Sequence, residues 1–196
     1  MSLTISSSDE KQVAFALELL SQNYTTAMAN QLAPYLFDIL SRFNPASDHL
    51  IYELSFISRL FTESTLSDQA FEGLLLVLKP ILSTKCPEIM SETILAMEAL
   101  SDKAISDNGK LDQIASGPCL EILINMVEVS NPGLMKVISL LSNLLSSDNT
   151  LLIQRMLSYH LLDRFYVILL LQDYSEKGKI LWGLTNVACE SQSIVH

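Results

Sequence analysis

The sequence predicts an all-α solenoid, a stack of helical repeats with little loop between them. Three observations lead there. First, 49% of the 196 residues are hydrophobic and 36 are leucine, while glycine and proline together number 12. Average glycine and proline usage would be roughly twice that, so loops are short and helices dominate. Second, five segments resemble one another: 13–23, 51–63, 92–103, 136–147 and 179–190. The last two, KVISLLSNLLSS and KILWGLTNVACE, align without gaps at an offset of 43, pairing Lys136 with Lys179, Leu141 with Leu184 and Asn143 with Asn186. The earlier copies fall about 40 to 44 residues apart, the period of two- or three-helix solenoid repeats. Third, Leu134, Val137, Ile138, Leu141, Leu144 and Leu145 form the i, i+3, i+4, i+7 stripe of an amphipathic helix.

Element by element, 1–10 reads as an N-terminal tail and 11–196 as a single array. Segment 11–23 matches only the last helix of a repeat and is partial. Repeats then span 24–64, 65–106, 107–148 and 149–191, and 192–196 starts a further one. The clearest copy places helices at 111–116, 119–129 and 134–147. Gly117-Pro118 separates the first two, and Asn131-Pro132-Gly133 separates the second from the third by turn chemistry. The next copy places them at 151–159, 161–172 and 176–189. Its second helix is apolar nearly all round, as expected of a helix packed between neighbours. The turn after each first helix falls at Asn30, Asp68, Gly117 and His160, residue types that tolerate positive φ, so a left-handed helix-end residue is expected there.

Composition narrows the function. With 22 Asp and Glu against 12 Lys and Arg, the net charge is -10. Nucleic acid and anionic membranes both need a basic footprint, so neither is an expected partner. The longest apolar runs are about seven residues, such as 165–171, against the roughly 18 needed to span a bilayer. The tail is serine-rich and acidic, without the order of a signal peptide. Cys86, Cys119 and Cys189 are scattered and odd in number, which suggests reduced thiols in an intracellular protein. His49, His160 and His196 lie far apart, the glycines form no phosphate loop and no nucleophile has a spaced partner. No catalytic activity, metal or cofactor is expected.

IASGPCLEILINMV, VISLLSNLLSSDN and above all ILWGLTNVACES resemble armadillo repeats, and the last is most similar to those of importin-α, also called karyopherin-α. The general pattern runs from about Lys11 to the end, the importin-like signature through the last two repeats. The resemblance implies a right-handed superhelix of three-helix repeats whose third helices line a concave groove. It also implies an extended Lys/Arg-rich peptide of the nuclear-localisation type as ligand, with a cytoplasmic and nuclear location. In that family Asn residues grip the peptide backbone, Trp residues one turn earlier flank lysine stems, and acidic residues take the charge. An amide offers donor and acceptor to any peptide unit, and an indole attracts an ammonium.

On this chain the column reads Trp182, Asn186 and Glu190 in the last repeat, and Ser139, Asn143 and Ser147 in the one before. Earlier copies depart from it: Leu95, Ala99, Lys103; Ser55, Arg59, Glu63; Phe15, Leu19, Asn23. The peptide-binding candidates are therefore Trp182, Asn186, Glu190, Asn143 and Ser139. Ile180, Leu181, Leu184 and Val187 supply the buried stripe of the last helix, which leaves Trp182 on the surface. Asn143 and Asn186 are open to two readings, ligand contact or bonding to a neighbouring segment. An alternative function is a general armadillo scaffold, catenin-like or cytoskeletal, with a non-basic ligand. Unfinished repeats at both ends and a mean hydropathy of +0.32 also suggest self-association through those ends.

Overall fold

A computed structural model describes residues 12, 15, 50–63, 67–84, 86–171 and 177–193. Among them every regular element is an α-helix: α1 (Leu50–Glu63), α2 (Asp68–Ile81), α3 (Pro87–Ala104), α4 (Asn108–Ala115), α5 (Cys119–Asn125), α6 (Leu134–Leu144), α7 (Thr150–Ser158), α8 (Leu161–Leu170) and α9 (Lys177–Ser193). The chain divides into two units, Met1–Leu100 and Ser101–His196. Apart from Phe15, segment 13–23 lies outside the described residues, as does the turn at Asn30.

In the first unit, α1 buries Leu50, Leu54, Phe56 and Ile57. Phe71, Leu74, Leu75, Leu78 and Ile81 form the buried stripe of α2 at helical spacing. Asp68 corrects the sequence expectation. It is the first residue of α2 and not a left-handed turn, because Ser67 caps the helix by accepting from the Ala70 backbone N–H at 3.3 Å. An aspartate in a first turn faces the positive end of the helix dipole, so helix placement satisfies it. α3 begins five residues before the expected 92–103 segment, with Pro87 at its first position, where a missing N–H costs nothing.

The second unit holds two complete three-helix groups, α4–α6 and α7–α9, and the last turn of α3. Asp107 caps α4, accepting from the Lys110 backbone N–H at 3.2 Å. That N–H is the main cause holding the Asp107 carboxyl below its ordinary range. The cap's contribution is present above the ordinary carboxyl pKa and is lost as pH falls through the lowered one. α4 ends into Gly117 at φ +70°, and α7 ends into His160 at φ +60°, the one non-glycine positive φ among the described residues. Here the left-handed turn is found as expected in both copies.

α5 stops at Asn125, short of the expected 129, because Asn131 reaches back. Its side-chain amide donates to the Met126 carbonyl at 2.7 Å, and its Oδ1 accepts from the Gly133 N–H at 2.9 Å. A carbonyl freed at the helix end thus has a partner, and the Asn-Pro-Gly turn is fixed. α6 then buries its whole predicted stripe, from Leu134 to Leu145. Within each group the helices pack on one another, and α6 packs on α9 as the layer between groups.

Polar side chains one repeat apart tie like helices to like. The Asn108 amide donates to Asp148 at 3.0 Å, and the Asp148 N–H donates back to Asn108 Oδ1 at 3.1 Å. The Asn149 amide donates to Asp112. Arg164 on α8 donates to Asn125 on α5 at 2.9 Å. Ser142 on α6 donates to the Lys179 carbonyl on α9 at 3.0 Å. The 40-residue period read in the sequence is therefore a physical ladder.

Asn149 has two duties here, since its Oδ1 also caps α7 by accepting from the Leu151 and Leu152 N–H groups. Asn149→Ala removes the cap and leaves Asp112 with neither oxygen partnered, Oδ1 being already buried and unpaired. Urea unfolding is expected to show a loss of about 2 kcal/mol, the sum of a cap and a lost bond to a charged group. A loss below about 0.5 kcal/mol would mean that water replaces Asn149 without penalty.

Candidate functional site

The sequence singled out one column on the third helices, and α6 and α9 carry its last two copies side by side. Their approach is close because small residues meet. A Cβ added at Gly183 would lie 3.1 Å from Leu145 Cδ1 and 3.2 Å from Ser142 Oγ. Such contacts are tighter than nine in ten real Cβ contacts, so the two helices sit at a separation that suits glycine.

Asn143 is buried, and its amide donates to Ser101 Oγ at 2.8 Å and to Asp102 Oδ1 at 2.6 Å, both in the last turns of α3. Of the two readings left open for this residue, bonding to a neighbouring segment is the one seen. Ser139 is also buried and accepts from the Lys179 amine. Ser147 is buried, with its Oγ accepting from the Asn149 N–H at 3.2 Å. All three residues of this copy lie within the stack.

The last copy differs. Trp182 is 42% exposed. Asn186, one turn on, is half-buried, and its Nδ2 is enclosed with no hydrogen-bond partner. An enclosed donor left unpaired costs about 1–3 kcal/mol, and it meets an acceptor from outside the helix only if the side chain turns. Rotation of the amide by half a turn about χ2 exchanges its donor and acceptor ends. The Glu190 side chain lies outside the described residues. Trp182 and Asn186 are thus brought together on one face, and Asn143 and Ser139 are engaged elsewhere.

The expected buried stripe of this helix needs correction. Ile180 is buried, but Leu181 is 54% exposed and Leu184 and Val187 are half-buried. Gly183, which the stripe did not include, takes the central place against α6. The glycine was visible in the sequence, and its alignment with Leu140 gave no sign that it marks a close crossing.

In the earlier copies Leu95 is half-buried, Ala99 buried and Lys103 exposed. Ser55 is half-buried and Phe15 exposed, while Arg59, Glu63, Leu19 and Asn23 lie outside the described side chains. Among the described residues no three His, Cys, Asp or Glu side chains converge on a metal-binding group, and no helix is long and apolar enough to cross a membrane.

No family model and no curated protein matches the chain. Solved structures do. An engineered protein solved by a structural genomics consortium superposes with a TM-score of 0.76 at 13% identity, over 99% of this chain and 82% of that one. A designed armadillo repeat protein in complex with the peptide (KR)4 gives 0.72 at 17% identity, over 95% and 80%. A second designed armadillo repeat protein gives 0.57 at 11%, over 94% and 97%. All-helical content, the repeat-length ladder and these superpositions together make the fold an armadillo-type α-solenoid.

Proposed function

We propose that this chain is an importin-α-like peptide-binding solenoid that takes an extended Lys/Arg-rich segment of the nuclear-localisation type at α9. One observation carries the reading: exposed Trp182 stands one turn before Asn186, whose amide donor has no partner among the described residues. An indole covers the methylenes of a lysine and attracts its ammonium. The amide then has a peptide carbonyl to meet. Glu190 follows a further four residues along the sequence, while Asn143 and Ser139, engaged within the stack, hold the neighbouring helix in place. The net charge of -10 favours a cationic ligand. A designed protein of the same fold holding (KR)4 adds support. Such a role places the protein in the cytoplasm and nucleus.

A second reading, a scaffold for a non-basic ligand, draws support from Lys103, exposed on α3 in the same column. A titration separates the two. Trp182 is the only tryptophan, so its emission reports on this site alone. Adding (KR)4 peptide is expected to shift that emission, with affinity falling as salt shortens the Debye length from about 10 Å at 0.1 M to about 3 Å at 1 M. An unchanged spectrum at low salt would remove the basic-peptide reading and leave the scaffold.

A further inference from the structure

The ligand face of α9 does not begin at Trp182. Lys179 lies one turn before it, and the spacing 179, 182, 186 keeps all three residues on one side of the helix. Lys179 is exposed, and its ammonium donates to Ser139 Oγ on α6. Ser139 is 2% exposed and aligns with Trp182 one repeat back. The place that carries an indole on α9 is therefore covered on α6 by an ammonium reaching over from α9. Main-chain contacts hold Lys179 at this crossing. Its carbonyl accepts from the Ser142 hydroxyl at 3.0 Å, and Gly183, one turn further on, lies against the same serine. Main chain and side chain thus tie the start of α9 to α6 at one residue, which limits how far the cation can retreat.

Resting on the peptide reading above, we infer that Lys179 sets the charge pattern of the ligand: a basic residue at Trp182 and, two positions away over Ser139, an acidic one. The spacing follows from geometry. Helices that approach through small residues have axes about 8 Å apart. An extended chain rises about 3.3 Å per residue, and its side chains point the same way at every second residue. Two residues span about 7 Å, so the next side chain on the same face of the peptide reaches α6 beside Lys179. A ligand ammonium there meets a like charge, and Ser139 offers it only a hydroxyl. A carboxylate there gains a charge-assisted hydrogen bond from Lys179. The net charge of -10 acts over the whole surface and favours cationic ligands in general. Lys179 acts at one place against that background. The segment selected is therefore basic with one acid in it, and not uniformly basic.

Two peptides of equal length, (KR)4 and KRKRERKR, test this at low salt, with the emission of Trp182, the only tryptophan, as the signal. The second peptide has a lysine two residues to either side of its glutamate, so either chain direction satisfies the pattern. Wild type is expected to bind KRKRERKR more tightly, although that peptide carries less positive charge. Lys179→Gln removes the cation and should reverse the order, with the ratio of the two affinities changing by about fivefold. Lys179→Arg keeps the charge and should keep the wild-type order. Unfolding midpoints of both variants, recorded alongside, show that the folded chain is being compared. Tighter binding of (KR)4 than of KRKRERKR by wild type overturns the inference and leaves the peptide reading standing. So does an order that is the same in wild type and in folded Lys179→Gln. If neither peptide binds wild type, the peptide reading fails and this inference falls with it.

Discussion

Gly183→Leu is expected to lower stability by about 3 kcal/mol, the upper end of the cost of overpacking a filled contact. The reason is geometric. A Cβ alone would reach 3.1 Å from Leu145 Cδ1 and 3.2 Å from Ser142 Oγ. A leucine adds three further carbons beside Ser142, whose hydroxyl holds α6 to the Lys179 carbonyl of α9. Gly183→Ala gives a graded control. Its Cβ needs a few tenths of an ångström from a leucine terminus, and alanine gains about 1 kcal/mol of helix propensity over glycine. The two effects nearly cancel, so alanine should fall within about 1 kcal/mol of wild type. Urea denaturation of both variants reads this directly. If leucine proved as stable as alanine, the close crossing of α6 and α9 would be disproved.

Asn143→Ala carries the next largest expected loss, about 2 kcal/mol. Two bonds disappear, one to the Ser101 hydroxyl and one to the Asp102 carboxylate. A neutral bond contributes about 0.5–1.5 kcal/mol and a bond to a charged group about 1.5–3. The total falls below their sum because Asp102 is exposed and water takes the vacated place. Asn186→Ala, in the aligned position one repeat on, should lose no stability and gain up to about 1–3 kcal/mol, since no bond is lost and an enclosed unpaired donor is removed. Unfolding free energies of the two variants, measured side by side, show whether one alignment column really holds two roles. Equal losses would contradict that division.

Much of the fold was legible because it rests on local pattern. The period-3.6 stripe of α6 and the turn chemistry at Gly117 and Asn131 act within a few residues and are read without knowing the tertiary structure. The period near 40 was legible because a solenoid unit packs on its neighbours in the chain. Asp68 was misread for the opposite reason. Its residue type suits both a left-handed turn and a helix first turn, and the Ser67 cap decides between them. The expected stripe of the last helix placed Trp182 on the surface, where it lies, although Leu181 of that stripe is exposed too, and the column gave no sign that Asn143 and Ser139 serve the stack. Their partners, Ser101, Asp102 and Lys179, sit about 40 residues away on neighbouring third helices. An alignment of residue types does not reveal which neighbour lies within 3 Å. The exposure of Leu162, Tyr166, Val167 and Leu170 on α8, a helix expected to pack between neighbours, was hidden by the same limit, because an apolar residue reads alike whether or not a neighbour covers it.

The central claim is that the unpaired amide of Asn186, beside Trp182, receives a ligand's backbone. Isothermal titration of (KR)4 peptide into wild-type and Asn186→Ala protein tests it, with the unfolding midpoint of each recorded in parallel. We expect salt-sensitive binding to wild type, loss of at least about tenfold in affinity for the variant, equivalent to about 1.4 kcal/mol, and a midpoint for the variant no lower than that of wild type. Equal affinity for both proteins, with both folded, would contradict it.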